Sequence, residues 1–126
     1  MQQTATAGLV AVLLALWPAD NRVVLTAGRA APRPDPRPAG QLLLAEYQCG
    51  ACHRIDGVSG ATGQRGPTLV AFGSRSYIAG RVPNTEPLLA RWIADPQALV
   101  PGTAMPSLSV PPERARLMAL YLQRPR

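Results

Sequence analysis

Hydrophobic positions gather in four places along the 126-residue chain. From Ala5 to Trp17 they are almost continuous. Between Gln41 and Gln48, Leu42, Leu43, Leu44 and Tyr47 recur at helical spacing and predict a short amphipathic helix. Thr85-Glu86-Pro87 reads as a helix start with a capping threonine and an early proline. Leu88, Leu89, Trp92 and Ile93 follow on one face, and Pro96 is expected to stop that helix. A last helix is expected after Pro111-Pro112-Glu113, where Leu117, Met118, Tyr121 and Leu122 repeat the spacing. No stretch shows the period-two alternation of a strand, and no internal repeat is visible. Residues 54–84 hold six of the eleven glycines and little periodicity. A loop of that length in a small domain needs something to pack against. The pattern predicts an all-α fold of three or more short helices and long loops, with a core too thin to be comfortable on apolar burial alone.

The N-terminal run divides the chain into three expected parts. Residues 1–27 read as a signal peptide or a membrane anchor. The apolar run is short for a bilayer span of roughly 20 residues and closer to the apolar region of a signal peptide. No Lys or Arg precedes it and no clean small-x-small cleavage site follows, so both readings stay open. The arginines that follow it, at 22, 29, 33 and 37, are of a sign that opposes export. Residues 28–39 form a Pro/Arg-rich linker. Proline at 32, 34, 36 and 38 favours an extended, semi-rigid spacer. Residues 40–126 form the compact domain.

Charge narrows the partners. All 13 basic residues are arginine, and the formal net charge is +6. The arginines are scattered, and the few aromatics do not interleave with them in a basic stripe, so nucleic acid is not an expected partner. An acidic protein surface or an anionic membrane suits the sign.

The candidate chemistry sits in Cys49-Gly50-Ala51-Cys52-His53. A C-x-x-C-H run is a c-type haem attachment site. Two thiols add across the haem vinyl groups to form thioethers, and the next residue, His53, is positioned to bind the iron. These are the only two cysteines and the only histidine in the chain. The remaining strong candidates for the opposite axial ligand are the methionines. Met1 lies in the leader and Met118 on the apolar face of the last helix. Met105 lies in a loop stiffened by Pro101 and Pro106, 52 residues after His53, far enough to cross to the other side of a haem. His/Met coordination fills both axial positions and raises the reduction potential, which suits electron transfer rather than oxygen activation. A thioredoxin-like site would want a strand before the motif and a βαβ pattern around it. A structural zinc site needs four Cys/His ligands, and three such residues exist. A plain disulfide would leave His53 and the methionine loop unexplained.

In this order, Cys49-x-x-Cys52-His53, Gly66-Pro67-x-Leu69 and Pro101-Gly102-Thr103-x-Met105-Pro106 resemble the class I cytochrome c family over about residues 40–126. A closer likeness is to the cytochrome c domains of subunit II of some bacterial haem-copper oxidases. It is carried by Ser74-Arg75-x-x-Ile78-Ala79-Gly80, Pro83-Asn84-Thr85 and Leu89-Ala90-Arg91-Trp92-Ile93-x-Asp95-Pro96-Gln97. The copper-binding half of such subunits has no counterpart in this sequence.

The resemblance implies a small cytochrome c fold around one haem c, covalent through Cys49 and Cys52, with His53 and Met105 as metal ligands. It implies that the Pro67 carbonyl accepts from the His53 ring, that Leu69 packs on the haem and that Trp92 lies near the Met105 side. It offers Arg75, Asn84 and Thr103 as haem propionate contacts. Relatives often carry an aromatic four residues before the first cysteine, where this chain has Ala45. The terminal helices are therefore expected to pack through Leu43, Leu44 and Tyr47 against Leu117 and Tyr121. The implied role is an electron carrier in a respiratory chain, not an enzyme, though an accessory subunit of a cytochrome c oxidase is compatible. It would stand between an upstream donor and a terminal oxidase, in the periplasm, soluble or tethered through its N-terminus. The alternative is a haem protein that binds small ligands or peroxide after Met105 dissociates.

Overall fold

The computed structural model describes residues 34–125, and its first helix, α1 (Arg37–Glu46), begins inside the proline-alternating stretch. Pro38 falls in the first turn, where a missing N–H leaves no helical hydrogen bond unmade. Asp35 accepts from the Arg37 backbone N–H at 3.0 Å and pairs with the Arg37 guanidinium at 2.7 Å. The helix therefore starts upstream of the predicted Gln41. It ends at Tyr47, and Gln48, at a φ of 55°, turns the chain into a 3-10 turn at Cys49–Ala51.

Helix α2 (Glu86–Ala94) follows Thr85, whose backbone is extended as an N-cap requires. The Thr85 side chain makes no capping hydrogen bond, contrary to the expectation from sequence. Glu86 supplies the acidic first-turn residue instead and also accepts from Arg116 at 3.0 Å. α2 does stop before Pro96, but Pro96 opens a second helix, α3 (Pro96–Leu99), rather than a loop. Proline disfavours helical backbone at Asp95 yet suits the first position of α3. Asp95 then caps α3, accepting from Ala98 N–H at 3.3 Å. Helix α4 (Pro112–Leu122) buries Ala115, Met118, Ala119, Tyr121 and Leu122.

α4 packs against both α1 and α2. The meeting of the terminal helices centres on a residue that the expected contact set left out. A Cβ at Gly40 would lie 2.2 Å from the Leu117 carbonyl oxygen and 2.9 Å from Tyr121 Cβ. Absence of a side chain at Gly40 is what lets the backbones approach. Leu44 is buried below this contact, with Leu43 and Tyr47 partly so, while Leu42 is 71% exposed.

The aperiodic segment is not featureless. Tyr77–Ile78 (β1) and Val82–Pro83 (β2) pair antiparallel, Tyr77 with Pro83 and Ile78 with Val82. Ala79 and Gly80 both have positive φ, 49° and 69°, and Arg81 N–H donates to Ile78 O at 3.0 Å. That is the type I′ pattern of a tight hairpin. Four α-helices and this two-stranded sheet make the described fold helix-rich rather than all-α. A two-residue strand has no room to show alternation, so the pattern could not reveal it. The same segment contributes Ile55, Val58, Ala61, Phe72 and Ile78 to the core beside the helical residues. Its lack of period reflects burial from loops, not absence of burial. Among the described residues no helix is long and apolar enough to cross a membrane. The predicted leader and the linker up to residue 33 lie outside the described residues.

Candidate functional site

The 3-10 turn at Cys49–Ala51 and the two residues after it bring both thiols and the histidine to the lining of a cavity of about 790 Å³, within the ~300–1,000 Å³ range of small-molecule and cofactor sites. His53 N–H donates to Cys49 O at 3.0 Å, and Gly66 N–H to Cys52 O at 2.8 Å, so the motif and the 66–69 loop are stitched together. The His53 ring Nδ1 donates to the Pro67 carbonyl at 2.7 Å. A carbonyl can only accept, so Nδ1 carries a proton, which in a neutral imidazole leaves the lone pair at Nε2. Gly66 lies flat against the ring: a Cβ there would meet Cε1 at 2.4 Å and Nδ1 at 2.7 Å.

Cys49 and Cys52 are free thiols, each half-buried. Burial pushes the Cys49 thiol above its ordinary value, a main-chain hydrogen bond opposes this, and the neighbouring Cys52 adds to it.

Met105 lines the same cavity together with Thr103, although the chain reaches them through α2 and α3. Trp92 is buried and, with Leu69, forms part of the apolar wall. Arg75 also lines it; its guanidinium stacks over the Phe72 ring at 5.2 Å and donates to Thr68 O. Asn84 alone among the predicted site residues is placed elsewhere. Its Nδ2 donates to Phe72 O and Arg75 O, both at 2.9 Å, and its Oδ1 accepts from Gln123 at 2.7 Å. With both amide hydrogens committed to backbone carbonyls, Asn84 braces the loop that carries Arg75.

Sequence reasoning missed several contributors. Phe72, Ile78, Leu89 and Val110 add to the apolar lining, and Arg65 joins Arg75 there as a second guanidinium. Phe72 and Ile78 come from the aperiodic segment, where no periodicity marks an inward face. Gln97, outside the lining, holds the loop of Met105 through its side-chain amide. Nothing in its local pattern signals that contact.

The lining contains two thiols, one imidazole, one thioether, two guanidinium groups, no carboxylate and a predominantly apolar wall. That set fits a flat hydrophobic body with anionic edges and a metal seeking nitrogen and sulfur. Among the described residues no group of three or more His, Cys, Asp or Glu could hold a bare metal ion.

Comparison with known proteins finds partial similarity to two oxidase subunits. The chain is 38% identical over 68 residues to cytochrome c oxidase subunit 2 of Alkalihalophilus pseudofirmus, covering 54% of this chain and 19% of that protein. It is 36% identical over 59 residues to cytochrome c oxidase subunit 2 of Bacillus sp. (strain PS3), covering 45% and 17%. The chain thus spans less than a fifth of the length of either relative. No family model and no solved structure matches it.

Proposed function

We propose that this chain is a monohaem c-type cytochrome that carries single electrons in a respiratory chain and delivers them to a terminal haem-copper oxidase. The observation that carries the reading is the single cavity onto which Cys49, Cys52, His53 and Met105 converge. The haem, when bound, supplies one-electron chemistry at iron. Everything else is done by the chain. The Cys49 and Cys52 thiols would hold the haem through two thioether bonds. Pro67 fixes the His53 tautomer and makes Nε2 the more basic nitrogen. Met105 offers a thioether, which favours ferrous iron and raises the potential. Arg65, Arg75 and Thr103 can receive the propionates. The apolar wall keeps water away and lowers the reorganisation that each electron transfer requires.

The similarity to two oxidase subunits supports the choice of acceptor. The net charge of +6 favours an acidic docking surface, with rates that fall as salt rises. Attachment of haem to this motif, on the family resemblance, takes place outside the cytoplasm. We therefore assign the chain to the periplasm, delivered or anchored by residues 1–27. The reading in which Met105 leaves the iron to admit small ligands is disfavoured by the stapling of its loop.

Intact mass of the protein from membrane and soluble fractions tests the core of this reading. The expected mass exceeds that of the chain, with or without its leader, by one haem. A mass without haem from cells competent in cytochrome c maturation would overturn it.

A further inference from the structure

Gln97 stands in the first turn of α3, exposed to solvent, and its side-chain amide reaches the 102–105 loop. Its Oε1 accepts from Gly102 N–H at 2.9 Å. Its Nε2 donates to Thr103 O at 2.7 Å and, more weakly, to Met105 O at 3.4 Å. One planar amide thus satisfies three main-chain groups that bracket the step into Met105. The loop belongs to no ladder, and Pro101 and Pro106 remove two of its own donors. Its remaining short-range support is Thr103 N–H donating to Val100 O at 3.1 Å. The amide itself is well founded, because Pro96 is buried and Asp95 caps the turn at Ala98.

We infer that Gln97 is a positioning residue that holds the Met105 thioether in the cavity and so governs how readily that side chain leaves the iron. The inference rests on the His53/Met105 coordination proposed above. The physical basis is local stability. An exposed clasp on one loop contributes little to global unfolding but directly opposes opening of that loop. Chemistry of the amide is essential, since it accepts on one side and donates on the other. A carboxylate at the same place accepts from Gly102 but cannot donate to Thr103 or Met105.

The test uses the full haem-loaded protein and two substitutions, Gln97→Ala and Gln97→Glu. Carbon monoxide binding to the reduced protein reports Met105 departure, and the far-red ferric band of methionine-bound haem reports its attachment. Gln97→Ala is expected to raise the carbon monoxide on-rate about tenfold, the equivalent of roughly one hydrogen bond, and to weaken the far-red band while the melting temperature stays near that of wild type. Gln97→Glu, whose carboxylate keeps the acceptor and loses the donor, is expected to weaken the band and speed carbon monoxide binding at neutral pH as Gln97→Ala does. If Gln97→Ala fails to load haem, the band and on-rate of Gln97→Glu decide the question. Wild-type band and on-rate in Gln97→Ala or in Gln97→Glu would overturn the inference and leave His/Met coordination standing. A wild-type protein that itself lacks the band and binds carbon monoxide fast would refute the coordination first, and the inference with it.

Discussion

Gly66 and His53 are in face contact: any side chain at 66 would begin 2.4 Å from the imidazole Cε1. The contact matters because the ring is held by one hydrogen bond, from Nδ1 to Pro67 O, and that carbonyl is borne by the very next residue. Gly66→Ala must therefore push either the ring or the Pro67 carbonyl aside. It is expected to cost about 1–3 kcal/mol of stability, the usual range for forced overpacking, and to lower the yield of haem-loaded protein. Thermal melts and the haem-to-protein absorbance ratio check it. Wild-type values for both would show that the ring has room to move.

Met105 should set the potential. Replacing it with histidine exchanges a soft thioether for a stronger nitrogen donor, which favours ferric iron. The reduction potential of Met105→His is expected to fall by on the order of 0.1–0.2 V, part of the ~0.8 V range that axial ligands span. Redox titration measures it directly. The control, Met118→Leu, touches a fully buried core methionine and should leave the potential in place.

Cys49 should be a sluggish thiol before haem is attached. Burial raises its pKa, so at a given pH less of it is thiolate, and thiolate is the reactive form. Alkylation of the haem-free chain at Cys49 is expected to rise with pH along a curve whose midpoint lies above the ~8.5 of a free cysteine. Peptide mass mapping of the alkylated residue gives the curve. A midpoint below that of free cysteine would contradict the burial seen at this position.

The hairpin tip carries a removable strain. Ala79 has a φ of 49°, a left-handed conformation that its Cβ disfavours, at the first central position of the type I′ turn. Ala79→Gly is expected to stabilise the protein by roughly 0.5–1 kcal/mol, the relief of the Cβ clash outweighing the added freedom of the unfolded chain. Denaturant midpoints on the haem-loaded protein decide the sign. Destabilisation would mean that the Ala79 methyl, which lines the cavity rim, contributes packing of its own.

How far each feature was legible depended on how far apart its partners lie in the chain. The helices at Glu86–Ala94 and Pro112–Leu122 were readable because their apolar faces repeat within one turn and prolines mark their starts. α3 was hidden because the proline that ends one helix also begins the next. Asn84 shows the limit for side chains. Its place in a resembling motif suggested a cavity contact, yet its amide is spent on Phe72, Arg75 and Gln123, 12, 9 and 39 residues away. Hydrogen bonds of that span have no local signature.

Composition and a five-residue motif by themselves determined the chemistry on offer. With one histidine, two cysteines and three methionines in the chain, the donors were narrowed before any fold was known. Only the tertiary structure decided which groups meet. It brought Met105 to the cavity of His53, assigned Asn84 to bracing, set Gly66 against the imidazole and closed Gln97 over the methionine loop. The physical reason is that residue type carries chemical capacity locally, whereas positioning comes from contacts between segments that packing alone makes neighbours.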